Sequence, residues 1–348
     1  MPLQYEGVIA EHQSVRNKAA IFDISHMGQI MVCGVHAINF LDLSLANRAS
    51  ALAVGEAQYS LMCNDQGGVI DDLYIYRIAQ EGFLLIVNAS RIEKDFSELQ
   101  GLVMSFEEGR AVDVVNESKN LAAIAIQGPS VDLFIDDLFT IKGLIRVEKP
   151  TDLIKNQIDV FIFEGVDIYV ANTGYTGEIG FELVGPNEAI TQLWSRIMDI
   201  GEKYGVKPAG LGARDTLRME MGYPLYGHEL DESVTPLEAG LDFFVDMAHP
   251  FRGRSELAFQ KKNGLSRRNM AFVMTAKSPP PREGYPVIVE GKNVGLVSSG
   301  TQSPSMRKGI GMSFIDMPHA KIGNEIEIEI RGRNFPAVLS KKPLYTKS

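Results

Sequence analysis

The sequence predicts an α+β chain that ends in a small antiparallel β-barrel or sandwich. Three observations predict it. Short apolar runs alternate with amphipathic helical stretches up to about Lys262. From Asn269 onward the helical period stops, and short strands alternate with Gly, Pro and Ser turns. At 348 residues a single compact core is disfavoured, so two or three domains are expected.

The elements follow in order. Residues 8–20 (VIAEHQSVRNKAA) read as a helix, Ile30–Cys33 as a strand and 36–46 as a helix. Residues 69–77 and 83–89 read as a hairpin turning at Gln80-Glu81-Gly82. The next helix, 90–104, opens on Ser90-x-x-Glu93, the pattern of a capping box, and places Ile92, Phe96, Leu99 and Val103 on one face. A buried strand at 121–126 ends at Gln127-Gly128-Pro129, and further strands fall at 158–163, 167–171 and 181–184. In 187–204, Ile190, Leu193, Trp194, Ile197 and Met198 recur at helical spacing, which makes Trp194 a core residue. Another helix starts near Gly212 and carries Arg214 and Arg218. An exposed connection at Lys262–Arg267 precedes strands at 269–276, 286–290, 294–299, 308–315, 325–330 and 335–340.

Composition narrows the function. With 34 Lys+Arg against 44 Asp+Glu the net charge is -10 and no basic run occurs, so nucleic acid is not an expected partner. No apolar run reaches the ~18–20 residues of a membrane span. The N-terminus has neither a signal-peptide nor a transit-peptide pattern, so a cytoplasmic protein is expected, or an organellar one in a eukaryote. Cys33 and Cys63 leave one disulfide open but no framework, and without a C-x-x-C pair or a paired His motif no metal site is expected. The phosphate-binding G-x-x-x-x-G-K-[ST] loop and the G-x-S-x-G elbow are both missing. Gly210-Leu-Gly212 lacks the third glycine of a dinucleotide fingerprint.

Three segments could carry chemistry. In Gly67-Gly68-Val69-Ile70-Asp71-Asp72-Leu73-Tyr74-Ile75-Tyr76, two carboxylates enter an apolar strand, where an unpaired charge is costly. Strand alternation puts Asp72, Tyr74 and Tyr76 on one face and Asp71, Leu73 and Ile75 on the other. That segment is either a strand end with an acid bonding turn amides, or a seat for a flat, nitrogen-rich ligand. Thr173-Gly174-Tyr175-Thr176-Gly177-Glu178-Ile179-Gly180-Phe181-Glu182 is either a glycine-rich hairpin or a close approach to a ligand. In the second case Glu182 would accept from a ring N–H and an amino group, for which a carboxylate has the bidentate geometry. Ala209–Glu220 runs from glycines into a helix with an early Arg214, which marks either an anion site or a surface ion pair.

Together and in this order the segments resemble the aminomethyltransferase (T-protein) family of the glycine cleavage system. The likeness rests on Phe22-Asp23-Ile24-Ser25-His26-Met27-Gly28, Asn64–Tyr76, Val87-Asn88-Ala89 with Glu93-Lys94-Asp95, Gln127-Gly128-Pro129, Gly174–Glu182 and Gly210–Asp215. It continues through Tyr226–Glu232, Thr235–Leu241, Ser299-Gly300 with Ser303-Pro304, and Lys342-Pro343-Leu344-Tyr345, so it spans essentially the whole chain.

The resemblance implies a three-domain cloverleaf around a central folate channel. The implied domains are residues 1–28 with 119–262, a split (ferredoxin-like) α+β domain at 29–118 carrying Asp72, and a barrel at 268–348. The implied reaction moves the one-carbon unit of an aminomethyl-lipoyl group on H-protein to tetrahydrofolate as co-substrate. It releases ammonia and forms 5,10-methylene-tetrahydrofolate and dihydrolipoyl H-protein, with no metal. By matching positions, Asp72 is the catalytic acid near folate N10, Glu182 takes the pterin edge and Arg214 contacts the folate tail. Met27, Tyr76, Asn88, Tyr175 and Tyr223 line the pocket, and Tyr59 joins them on a looser match. A fixed carboxylate in a low-dielectric channel suits the cationic species of such a transfer. A monomer is expected, in the cytoplasm or in a mitochondrial matrix.

Two departures stand out. Family members usually begin upstream of the Met1-Pro2-Leu3-Gln4-Tyr5 that opens this chain, which suggests a misassigned start or a shortened chain. Ile179 also stands where an acid is common. Two alternatives share the folate site: a demethylase acting on a small methylated substrate, and a folate-binding iron–sulfur assembly factor. The second is disfavoured because Pro250–Leu257 lacks the cysteine of that group's motif.

Overall fold

A computed structural model describes residues 1–347. In chain order its strands are β1 (Ala19–Asp23), β2 (Gly28–Cys33), β3 (Ala57–Cys63), β4 (Val69–Ala79), β5 (Gly82–Val87), β6 (Asp113–Asn116), β7 (Leu121–Gln127), β8 (Ile158–Phe163), β9 (Val166–Ala171), β10 (Gly180–Pro186), β11 (Val206–Pro208), β12 (Arg267–Met274), β13 (Pro286–Val289), β14 (Lys292–Gln302), β15 (Gly309–Asp316), β16 (Glu325–Ile330) and β17 (Arg333–Ser340). The helices are α1 (Val8–Asn17), α2 (Ala37–Ser44), α3 (Ile92–Ser105), α4 (Asn187–Gly201), α5 (Leu211–Met221) and α6 (Arg254–Asn263). The chain divides into two compact units. The first comprises Met1–Met62, Asp71–Ala213 and Ala248–Phe251; the second comprises Cys63–Ile70, Arg214–Met247 and the described residues from Arg252 onward.

The first unit holds two sheets. One is six-stranded, in the order β11-β1-β7-β10-β9-β8, and the other five-stranded, in the order β3-β4-β5-β2-β6. In the larger sheet β7 is antiparallel to both β1 and β10, with Ala125 opposite Phe22 and Glu182. Its apolar face packs under α4, whose Ile190, Leu193 and Ile197 are at most 3% exposed. Burial of each such side chain contributes about 1.5–3 kcal/mol. Trp194 is partly buried against this core, as the periodicity indicates.

The second unit contains a closed barrel in the order β12-β15-β14-β13-β16-β17, so the C-terminal strands, from Arg267 to Ser340, form a barrel and not a sandwich. Closure leaves no unpaired strand edge. Alternating inward residues fill it, among them Phe272, Val287, Val297, Ile315, Ile328 and Leu339.

Several local readings need correction. The helix expected over 8–20 stops at Asn17, and Ala19–Asp23 is a strand. Ala19 to Phe22 are at most 1% exposed, between β7 and β11. A strand covered on both faces shows a continuous apolar run that periodicity does not separate from a helix. The capping box at Ser90 does not form. The N-cap is Arg91, with no side-chain capping bond, so Ser90 and Glu93 are out of register for reciprocal capping. Strands β3, β6 and β11 and helix α6 went unread; β11 spans only Val206–Pro208. Cys33 and Cys63 are both free thiols. Among the described residues no helix is long and apolar enough to cross a membrane, and no group of three or more His, Cys, Asp or Glu is arranged to hold a metal ion.

Candidate functional site

The hairpin β4–β5 sets the site. Its strands pair Tyr74 with Ile86 and Tyr76 with Leu84, and Gln80-Glu81 turn between Ala79 and Gly82. Alternation then does what the sequence requires. Asp71, Leu73 and Ile75 are at most 2% exposed, while Asp72 and Tyr74 are half-buried on the opposite face.

Asn88, just past the end of β5, joins the two faces. Its backbone N–H donates to Asp71 Oδ2 at 3.0 Å. Its Nδ2 donates to Asp71 Oδ1 at 3.0 Å and to Asp72 Oδ1 at 2.8 Å. Tyr59 on β3 donates its hydroxyl to Asp72 Oδ2 at 2.9 Å. Both Asp72 oxygens are thereby held. Burial pushes the Asp72 carboxyl up to about 7, the Asp71 charge pushes the same way, and the bonds from Tyr59 and Asn88 oppose them. A carboxyl balanced near neutrality can take or give a proton at physiological pH.

From Tyr59 a row of rings runs along the sheet. Tyr59 meets Tyr74 edge-on at 6.0 Å between centroids, and Tyr74 meets Tyr76 at 5.8 Å. Tyr74 Oη donates to Asn156 Oδ1 at 3.2 Å. Tyr76 Oη donates to Glu182 Oε2 at 3.3 Å and lies 3.1 Å from Thr173 Oγ1, which donates to the same Oε2 at 2.6 Å. Burial, reinforced by the Glu182 charge, holds the Tyr76 hydroxyl well above its usual range, so it stays a donor.

Both bonds to Glu182 fall on Oε2; among the described residues Oε1 accepts none. Glu182 borders a narrow, mainly apolar crevice with Ile24, Tyr76, Leu84, Ile86 and Tyr169. Its free volume of about 10 Å³ holds about one water molecule. Met27 is in the same turn as Ile24, where its N–H donates to the Ile24 carbonyl at 3.0 Å and its own carbonyl accepts from Gln29 Nε2 at 2.8 Å. Tyr175, in the β9–β10 loop, is close enough for its hydroxyl to interact electrostatically with that of Tyr59.

The glycine-rich loop has an internal explanation that the sequence did not show. A Cβ on Gly174 would come within 2.1 Å of Gln127 Oε1, and one on Gly180 within 2.6 Å of Gln127 Nε2. What these glycines approach is the Gln127 amide, and at Gly180 also the Ile126 carbonyl, 2.4 Å from such a Cβ; the amide accepts from Thr176 Oγ1 at 2.8 Å and donates to the Thr173 carbonyl at 3.1 Å. Glu178 anchors the loop through a buried ion pair with Arg16 at 3.0 Å. Of the two carboxylates in this segment, only Glu182 faces the crevice.

The start of α5 is likewise not an open anion site. The Gly210 N–H donates to Glu11 Oε2 at 2.9 Å, and the Leu211 and Gly212 N–H groups donate to the carbonyls of Pro2 and Leu3. The chain's own carboxylate occupies the position an external anion would take. Burial raises the fully buried Glu11 carboxyl, but backbone N–H bonds from Gly210, Gly7, Tyr5 and Glu6 outweigh it and hold it below its usual value.

Arg214 and Tyr223 belong to the second unit. Arg214 is half-buried on α5, and Tyr223 follows that helix, with its N–H donating to the Arg218 carbonyl at 3.0 Å. Arg218 is the structural arginine of the helix. It is 3% exposed and pairs with fully buried Glu229 at 3.0 Å.

Three residues at this centre went unassigned: Thr173, Gln127 and Asp95. Asp95 had a legible signal. It lies on the apolar face of α3, three residues after Ile92 and four before Leu99, and is fully buried.

Comparisons with known proteins point to one family over most of the chain. The GCVT N-terminal domain matches residues 1–249, and the glycine cleavage T-protein C-terminal barrel domain matches residues 267–346. The chain is 42% identical over 355 aligned positions to an aminomethyltransferase of Thermoanaerobacter sp. (strain X514), covering 100% of this chain and 92% of that one. It is 43% identical to an aminomethyltransferase of Caldanaerobacter subterraneus subsp. tengcongensis, covering 100% and 90%. Among solved structures it superposes on glycine cleavage system aminomethyltransferase T from Bartonella henselae with a TM-score of 0.89 at 29% identity, covering 99% and 91%.

Proposed function

The chain belongs to the glycine cleavage T-protein family of aminomethyltransferases, and from that premise we propose that it transfers the one-carbon unit of aminomethyl-lipoyl H-protein to tetrahydrofolate. Ammonia, 5,10-methylene-tetrahydrofolate and dihydrolipoyl H-protein are the products. The observation that carries this reading is the pair of carboxylates at the two ends of the tyrosine row: Asp72, fully hydrogen-bonded, and Glu182, with one oxygen open.

The donor and acceptor set fits a reduced pterin. Glu182 is half-buried beside apolar walls, and its carboxylate is suited to an edge that presents two N–H donors. The crevice holds no bicyclic ring, so Glu182 marks where the pterin edge ends and not the volume that the ring fills. Tetrahydrofolate supplies the two nitrogens that accept the carbon. Asp72 is the residue we place near N10. Held by Tyr59 and Asn88, it cannot rotate away, so its charge is already oriented before positive charge develops. Its balance near neutrality lets it hold or release the proton exchanged there. Met27, Tyr59, Tyr76, Asn88, Tyr175 and Tyr223 line the site in this reading, while Arg214 serves the folate tail. The protein works as a monomer without a metal, in the cytoplasm or, in a eukaryote, the mitochondrial matrix.

The test supplies aminomethyl-lipoyl H-protein and tetrahydrofolate and measures ammonia. Release that depends on both supports the reading. Release of a one-carbon unit from a small methylated amine, with none from H-protein, moves the function to demethylation.

A further inference from the structure

Behind Asp72 lies a second carboxyl contact that the reaction does not explain. Asp95 on α3 and Asp71 on β4 are both fully buried, and their side chains meet. Asp71 accepts two N–H bonds from Asn88. Neither oxygen of Asp95 receives a hydrogen bond from any N–H or O–H. Two ionised carboxylates in contact inside a low-dielectric core repel strongly, and no donor other than a shared proton separates these two.

We propose that Asp95 and Asp71 share one proton, carried by Asp95, and that this bond positions Asn88 and through it Asp72. The chain of contacts is continuous. Asp95 donates to Asp71; Asp71 holds both the backbone N–H and the side-chain amide of Asn88; the same Nδ2 holds Asp72 Oδ1 at 2.8 Å. Asp71 keeps the charge because it is the carboxyl that already accepts two N–H bonds, which favour the ionised form. Asp95 is then a neutral acid, with its carboxyl pushed up to about 10 by burial first and by the Asp71 charge second. The Arg91 charge, one residue before α3, acts on both acids in the opposite sense and stabilises ionised Asp71. Asp95 touches no reacting atom in this scheme; it is a positioning residue.

The inference rests on the proposed aminomethyl transfer for its catalytic consequence but not for the shared proton itself. Two measurements separate them. Infrared spectroscopy at about pH 8.5, above the Asp72 value of about 7 and below the Asp95 value of about 10, should show the C=O stretch of a protonated carboxyl that disappears in Asp95→Asn. Steady-state kinetics should show kcat reduced about tenfold or more in Asp95→Ala, with KM for tetrahydrofolate little changed, because a displaced Asp72 loses orientation more than binding. Asp95→Asn, whose amide can still donate to Asp71, should recover most of that loss. If no such band exists, or if Asn is as damaging as Ala, the shared proton is wrong. Should Asp95→Ala fail to fold, the infrared band and the Asn variant still decide the matter. If the wild-type protein transfers nothing while the band is present, the function fails and the shared proton stands.

Discussion

Asp72 and Glu182 stand at opposite ends of one row of tyrosines: Asp72 accepts from Tyr59, Tyr59 abuts Tyr74, Tyr74 abuts Tyr76, and Tyr76 donates to Glu182. The acids are 110 residues apart in sequence and on different sheets. The polar face of β4 links them, because period-2 alternation puts Asp72, Tyr74 and Tyr76 on the same side. The arrangement gives one end a carboxyl balanced near neutrality and the other a carboxylate with an open oxygen.

Asp72→Asn should stabilise the protein at about pH 8. The folded value of about 7 lies above the ordinary 3.8. Between those values the folded state binds more protons than the unfolded one, so stability falls as pH rises through the window. Above it the ionised carboxyl is a net cost that the amide lacks. Chemical denaturation should show a gain of about 1–3 kcal/mol at pH 8 that vanishes below about pH 4. A loss of stability at pH 8 would show that Asp72 is well compensated where it stands.

Tyr59→Phe should shift the acid limb of the kcat profile to higher pH. The Tyr59 hydroxyl donates to Asp72 and favours its ionised form. Without that bond the carboxyl titrates higher, so activity at neutral pH drops while activity at alkaline pH recovers. A pH–rate profile that is lower throughout but unshifted would mean that Tyr59 does not tune Asp72.

Glu182→Ala should weaken tetrahydrofolate binding by about 10- to 100-fold, the value of one or two bonds to a charged acceptor. KM for H-protein should hardly change. Titration calorimetry against the folate checks the first point; equal affinity in the two proteins removes the pterin role from Glu182.

Glu11→Gln should cost about 2–4 kcal/mol. The carboxylate accepts from Tyr5, Glu6, Gly7 and Gly210, and an amide would turn an N–H toward those donors. The folded carboxyl titrates below its ordinary 4.5, so its contribution is present above that pH and is lost as pH falls through the folded value. The stability difference between wild type and variant should therefore be full at pH 7 and shrink as pH falls below about 4.5, the variant giving the flatter curve. A variant as stable as wild type at pH 7 would leave the start of α5 without its proposed anchor.

The fold was legible where local physics is strong. Ile158–Phe163 was placed to the residue, and every barrel strand was found, because turns and alternation are local signals. Ala19–Asp23 was not, since a strand buried on both faces carries no period. At the site, the shared face of Asp72, Tyr74 and Tyr76 followed from strand geometry alone. The partners that give those residues their character did not: Asn88 lies 16 residues from Asp72, Thr173 lies 97 from Tyr76, and such contacts exist only after folding. For Gly174 and Gly180 the sequence leaves a glycine-rich hairpin and a ligand approach both open; in the structure they accommodate Gln127, whose side chain no local pattern places there.

The proposed transfer depends most on Asp72, and the direct measurement is ammonia release from aminomethyl-lipoyl H-protein by Asp72→Asn in the presence of tetrahydrofolate, with folate affinity measured on the same preparation. We expect turnover reduced by about 100-fold or more while the protein stays folded and binds folate, since the amide keeps the shape but not the charge. Turnover close to that of the wild type would contradict the account.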